Sequence, residues 1–153
     1  MTDSVKTKAV DYFVEGDYNC AQSVLRAVLE KYDLFYEQAT TSMAGIGGGV
    51  GLEGDVCGAV VGAIAALGVL NSQRYSDVEK HKDATYISSI EFTRRFKKEC
   101  GSIICNELTG ITMSDIKERE KAVEEKLFYK TCPKYLEVAI GFVLELESKA
   151  QGA

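Results

Sequence analysis

The residues of this 153-residue chain best suited to chemistry are its five cysteines, Cys20, Cys57, Cys100, Cys105 and Cys132. Four of them share one kind of position. Cys20 follows the capping candidates Asp17 and Asn19, Cys57 lies two residues past Asp55, Cys105 three past Ser102, and Cys132 directly precedes Pro133. Each of these four is expected at or near the amino terminus of a helix, where unpaired N–H groups and the helix dipole favour an anion. A thiol held there is expected to titrate below its ordinary range, and thiolate is both the nucleophile and the metal ligand. Cys100 instead ends a helix, where the dipole opposes a thiolate. No two cysteines are spaced C-x-x-C, so neither a zinc knuckle nor a thioredoxin motif is written locally. A site has to be assembled from distant segments.

The stretch GIGGGVGLEGDVCGAVVGAIAALG, residues 45–68, holds most of the 14 glycines. Gly47, Gly48, Gly49 and Gly51 permit positive φ and carry no side chain. Their consecutive amides are therefore expected to point into one concavity beside Cys57, donating to its sulfur or to a bound cluster. A nucleotide loop fits poorly, because no strand is predicted before the glycines and no G-x-x-x-x-G-K-[ST] is present. The single histidine, His81, sits among charges in VEKHKDA and is expected at the surface, with no Ser-His-Asp or Cys-His arrangement around it. Glu107, two residues after Cys105, is expected to be a helix-surface carboxylate.

The elements that must position these residues are helical nearly throughout, with one proline and almost no β-type alternation. Residues 4–15 place Val5, Ala9, Tyr12 and Phe13 on one side. A second helix carries Cys20, Val24, Leu25, Val28 and Leu29 inward while Arg26, Glu30 and Lys31 face water. A third runs over about 34–43. Asp55 is expected to cap an all-apolar helix from Val56 to Leu70, whose Gly58, Gly62 and Ala66 form a smooth stripe for close packing inside the domain. A long helix over 77–99 turns Tyr86, Ile90 and Phe96 inward and stops at Gly101. Ser102 caps a short helix closed by Gly110, residues 114–127 are charged and weakly amphipathic, and the last helix runs from Pro133 to about Lys149. The expected architecture is one all-α domain over residues 1–153, a bundle of six or seven helices around the central apolar, glycine-rich one.

The charge of −5 argues against nucleic acid or an anionic membrane as partner. The basic run RRFKK shares its helix with Glu91 and Glu99 and is a solvated face. The longest uncharged apolar stretch, Val56 to Leu70, is shorter than the roughly 20 residues a membrane span needs, and the first residues have no signal-type apolar run. A cytoplasmic protein is expected, and in a reducing cytosol an odd number of cysteines serves metal, redox chemistry or plain packing. Small residues on the apolar helix make a homodimer compatible with the sequence.

NCAQSVL, then GGGVGLEGDVCGAVVGAIAALG, then GSIICNELTG, then a late cysteine before the final helix resemble the C_GCAxxG_C_C family from about residue 8 to residue 146. That family is labelled redox-active on the strength of its cysteines, and an iron–sulfur cluster has been suggested where similar domains occur in multihaem proteins. Carried over residue by residue, the family cysteines are Cys20, Cys57, Cys105 and Cys132, and Cys100 is an extra. The resemblance implies a redox protein using convergent cysteines, with a redox partner protein or small molecule. Four thiolates would suit an iron–sulfur cluster or tetrahedral zinc. Without metal, pairs of them could cycle between dithiol and disulfide with Cys57 or Cys20 attacking. The glycine-rich loop, as an amide donor to sulfur, favours a cluster over zinc. The competing reading, from another class, is a helical ligand- or protein-binding module whose cysteines are structural. A hydrolase or transferase built on one cysteine lacks a base.

Overall fold

The computed structural model describes residues 2–152 of the chain; Met1 and Ala153, the ends of the expected domain, lie outside the described residues. Among the described residues nine helices run in order: α1 (Thr2–Val14), α2 (Cys20–Lys31), α3 (Glu37–Ser42), α4 (Gly58–Ser72), α5 (Val78–Cys100), α6 (Cys105–Thr109), α7 (Ile116–Glu124), α8 (Leu127–Thr131) and α9 (Pro133–Gln151). The architecture is all-α. The one extended pairing among the described residues is an isolated antiparallel bridge between Val56 and Ile104. The count is close to the six or seven expected, the unforeseen element being short α8, which Lys126, at φ 55°, separates from α7.

Helix α4 is central, packed against α2, α5 and α9. Its close approach to α2 is made by missing side chains. A Cβ at Gly62 would lie 2.5 Å from the Ala21 carbonyl oxygen, and one at Gly58 would lie 2.2 Å from the Cys20 sulfur. Gly58, Gly62 and Ala66 are buried, so the small-residue stripe is used up inside the fold and offers no exposed groove. The core is completed by Val24, Val28 and Leu29 of α2, Phe92 and Phe96 of α5, and Leu136, Ile140 and Val143 of α9, all essentially inaccessible. Burying each such side chain contributes roughly 1.5–3 kcal/mol.

Helix starts follow the expected chemistry in part. Asn19, Asp77 and Asp115 cap α2, α5 and α7 with their side chains, and Gly101 and Gly110 end α5 and α6 in left-handed conformation. Asp55 does not cap α4; the N-cap there is Cys57, and Asp55 spends its carbonyl on the Cys105 amide at 2.6 Å. Ser102 likewise is not an N-cap. Its hydroxyl accepts from the Ile104 amide and donates to the Glu107 carboxylate, and Glu107 is exposed.

Two expected facings are overturned. Tyr86 and Ile90 are 60% and 50% exposed, because α5 meets the core along Phe92 and Phe96 instead. Arg26 and Glu30 do not face open water. The Arg26 guanidinium sits 4.7 Å from the Tyr12 ring centroid and 4.8 Å from that of Phe35, and it donates to Glu30 at 2.8 Å. The Tyr12 hydroxyl and Lys8 bind the same carboxylate.

Candidate functional site

All four expected cysteines begin helices. Cys20 is the first residue of α2, Cys105 the first of α6, and Cys57 and Cys132 are the N-caps of α4 and α9. Four helix starts, far apart in the chain, line the wall of one cavity of about 440 Å³. Cys100 ends α5 and is not on that wall.

Local backbone structure explains the convergence. The Val56–Ile104 bridge sets Cys57 beside α6: the Cys57 amide donates to the Ile103 carbonyl at 2.7 Å, while the Cys105 amide donates to that of Asp55 at 2.6 Å. The Tyr135 hydroxyl donates to the Leu108 carbonyl at 3.0 Å and so fastens α6 to the start of α9, near Cys132. Cys20 is held by the sequence NCAQS. Asn19 and Gln22 close a reciprocal capping box at the start of α2, and the Asn19 amide group also donates to the carbonyls of Met43 and Ala44, each at 3.1 Å. One side chain thus ties the helix bearing Cys20 to the approach of the glycine loop.

That loop has an uncommon backbone. Gly48, Gly49, Val50, Gly51 and Leu52 form an unbroken run with φ between 61° and 75°. Left-handed conformation costs a non-glycine L-residue about 1–2 kcal/mol, and ordinary proteins use it at single positions. The run is held by loop-internal bonds, Gly51 to Gly45 at 2.8 Å and Asp55 to Gly49 at 2.8 Å. Its reach differs residue by residue. The backbone amides of Gly48, Ala21 and Gly58, with that of Cys20 itself, favour a thiolate at the Cys20 sulfur. Gly49 packs on Cys105, where a Cβ would approach that residue's Cβ to 2.7 Å. Gly47 packs on the Asn19 side chain, and Gly51 has no neighbour within 4 Å of where a Cβ would sit. Gly48 alone of the four lines the cavity, and the sulfur its amide addresses is that of Cys20 and not Cys57.

The expectation of acidic thiols is reversed. Burial pushes Cys57 up to about 12 and Cys105 up to about 11, and it raises Cys20 and Cys132 as well. The cysteines also raise one another: Cys20 acts on Cys57 and Cys105, and all three act on Cys132. The amides of Ala59 and Val60 at the start of α4 favour a Cys57 thiolate, but desolvation outweighs them. All five cysteines are free thiols. Among the described residues no group of three or more His, Cys, Asp or Glu side chains is arranged to hold a metal ion.

Beyond the cysteines and Gly48, the cavity wall includes residues that the sequence reading left unremarked. Arg119 of α7 and Lys126 reach it from a segment read as charged and weakly amphipathic, and Met113 and Tyr129 also line it. His81 is half-buried at the surface, its Nε2 2.7 Å from the Gly68 carbonyl oxygen. No helix among the described residues is long and apolar enough to cross a membrane.

Fold and site define a class: an all-α protein that gathers four free thiols from four helix starts around one cavity. A family described as "Putative redox-active protein (C_GCAxxG_C_C)" matches residues 18–146, and the chain belongs to that family. No curated protein and no solved structure matches the chain.

Proposed function

We propose that the chain is a redox protein in which Cys20, Cys57, Cys105 and Cys132 act together, as the thiolate ligands of an iron–sulfur cluster. The observation that carries this reading is that those four cysteines, at four separate helix starts, line one cavity. Four cysteines are the usual donor set of such clusters. The raised thiols support it further. A buried group of thiols that resists ionisation gains most from a cation that neutralises the thiolates, since the cation removes both the desolvation penalty and the mutual repulsion. When bound, such a cluster supplies one-electron chemistry. The chain's own contribution is to direct the amides of Gly48, Ala21 and Gly58 at the Cys20 sulfur, and hydrogen bonds of that kind tune a cluster's potential.

One observation favours a second reading, dithiol–disulfide exchange. The thiols are free, and no three of them are arranged around a single ion. In that chemistry one thiolate of the cavity attacks a partner's disulfide and a second resolves the mixed disulfide, releasing the partner as a dithiol. The same geometry makes a single tetrahedral zinc the poorer fit of the two metal readings.

Anaerobic purification followed by a visible spectrum and iron, sulfide and zinc analysis decides between them. Iron and sulfide with a sulfur-to-iron band, lost in Cys20→Ser or Cys57→Ser and kept in Cys100→Ser, supports the cluster. A metal-free protein with a reversible intramolecular disulfide supports the exchange reading. A colourless, metal-free protein whose four thiols alkylate no faster than core residues leaves only a helical binding module.

A further inference from the structure

The cavity is larger than its thiols require. At about 440 Å³ it falls in the range of small-molecule sites, roughly 300–1,000 Å³, far beyond the volume of one metal ion. Its wall also carries aromatic and apolar side chains: Phe13, Tyr18, Met113 and Tyr129 contribute, with the Phe13 and Tyr129 rings packed edge to face at 5.5 Å. Two cations complete it. The Arg119 guanidinium is positioned by one hydrogen bond, to the Met113 carbonyl at 2.6 Å, and neither it nor Lys126 pairs with a carboxylate among the described residues. Asp17 is the one carboxylate on the described wall, so with neutral thiols its side chains carry an excess of one positive charge.

Both cations come from the short segment between α6 and α9. Lys126 adopts φ 55°, the left-handed conformation that breaks the chain between α7 and α8. A lysine gains nothing from that backbone by itself, since an asparagine or glycine would take it at less cost. The conformation brings a lysine to the cavity wall, within the same short stretch as Arg119.

We infer that the cavity binds a small organic anion with a flat apolar body, its ring against Phe13 and Tyr129 and its anionic group at Arg119 and Lys126. This deepens the redox reading and rests on it for the ligand's role as substrate. The aromatic wall supplies the body's affinity by burial and ring packing. The cations supply orientation, with the guanidinium offering a planar fork to a carboxylate, sulfonate or phosphate. A molecule so placed lies in the same chamber as Cys20, Cys57, Cys105 and Cys132.

The test uses two probes of similar shape, the aromatic anion 8-anilinonaphthalene-1-sulfonate and the uncharged N-phenyl-1-naphthylamine, titrated into the purified protein by fluorescence and calorimetry. The expected result is one anionic site per chain. Its affinity should fall about tenfold in Arg119→Gln and again in Lys126→Asn. Asparagine keeps the left-handed backbone, and unchanged binding of the neutral probe shows that each variant is folded. Equal binding of both probes, an anion affinity indifferent to both substitutions, or no binding of either probe overturns the inference. Iron and thiol assays on the same samples separate the two readings. An anion site that responds to both substitutions in a metal-free, thiol-inert protein upholds the pocket and removes the redox role. Iron that depends on the four cysteines, with neither probe bound, removes the pocket and leaves the redox role.

Discussion

Cys57 and Cys105 sit at the two ends of one backbone clamp: the Cys57 amide is bonded to the Ile103 carbonyl at 2.7 Å and the Cys105 amide to the Asp55 carbonyl at 2.6 Å. With the Val56–Ile104 bridge between them, two helix starts 48 residues apart in numbering, 105 less 57, are fixed in register with no side chain involved. Their sulfurs are placed by the main chain, so substitutions of the side chains should leave the geometry standing.

Cysteine-to-serine changes at 57 and 105 are therefore expected to remove bound iron, or disulfide-forming capacity, while costing little stability. Cys57 and Cys105 are 8% exposed, and a serine there is slightly smaller and more polar than the thiol it replaces. A loss of about 1–2 kcal/mol each is the expected scale. Cys100→Ser, off the cavity wall, should change neither property. Iron content and urea midpoints on the same samples check this, and a Cys100→Ser variant lacking iron would contradict it.

The glycines separate into two kinds. Gly58→Ala puts a methyl 2.2 Å from the Cys20 sulfur and 3.2 Å from the Ala21 amide nitrogen, so either the sulfur or helix α2 must move. Overpacking of this kind costs about 1–3 kcal/mol, and the Cys20-dependent signal should fall with it. Gly51→Ala meets no atom but forces alanine to φ 61°. Its cost is expected at about 1–2 kcal/mol with iron or disulfide chemistry intact. Paired denaturation curves and metal assays distinguish a crowded sulfur from a strained turn.

Helix order and the central place of the apolar glycine-rich helix were legible because burial repeats with the helical period. The placement of four cysteines at helix starts was legible from caps and from Pro133. Their protonation was not, since a dipole is read from position along the chain, whereas desolvation depends on what other segments cover the sulfur. The partner of the glycine loop was missed for a related reason. Adjacency in sequence suggested Cys57, yet the left-handed run turns the loop so that Gly48 meets Cys20, a contact made through Asn19 and the carbonyls of Met43 and Ala44. Arg119 and Lys126 carry no local signal at all. Only the break between α7 and α8 brings both to the cavity wall.

Asn19→Ala tests that link. It removes the capping box and two hydrogen bonds to the loop approach. A lost N-cap alone costs about 0.5–2 kcal/mol. Because the same side chain fixes the loop, amide exchange at Gly48 is expected to quicken along with the loss of stability. Unchanged protection at Gly48 would mean that the loop holds itself without Asn19.

Glu147 is 4% exposed and accepts both Arg74 nitrogens, at 2.7 and 2.9 Å, tying the end of α4 to α9. Breaking a buried pair leaves a carboxylate without its counter-charge. With the Arg74 side chain 28% exposed, water screens part of the loss, and Arg74→Met is expected to cost about 2–3 kcal/mol. Glu147→Gln, which keeps an acceptor for Arg74, should cost less. Thermal denaturation of both variants at neutral pH gives the order, and the reverse order would show that the larger cost lies in leaving Arg74 without its counter-charge, not in burying an unpaired carboxylate.

Alkaline pH probes the buried thiols through the sign of their shift. In the unfolded chain a cysteine loses its proton around pH 8.5–9, whereas in the folded, metal-free protein Cys105 holds it to about 11 and Cys57 to about 12. Between those limits the folded state binds more protons than the unfolded state, so stability must fall as pH rises. The contribution is fully present below about pH 8.5 and is lost progressively from about 9 up to the folded values. Each such thiol accounts for a decline on the order of 3 kcal/mol by pH 11. Urea midpoints of reduced, chelator-treated protein should drop between pH 8.5 and 11, and the drop should shrink in a Cys57→Ser, Cys105→Ser double variant. Across the same interval, alkylation of the folded protein should stay well below that of the unfolded chain. A midpoint that holds steady to pH 11, or a native protein alkylated at pH 8 as fast as a small thiol, would mean that these sulfurs ionise where they lie.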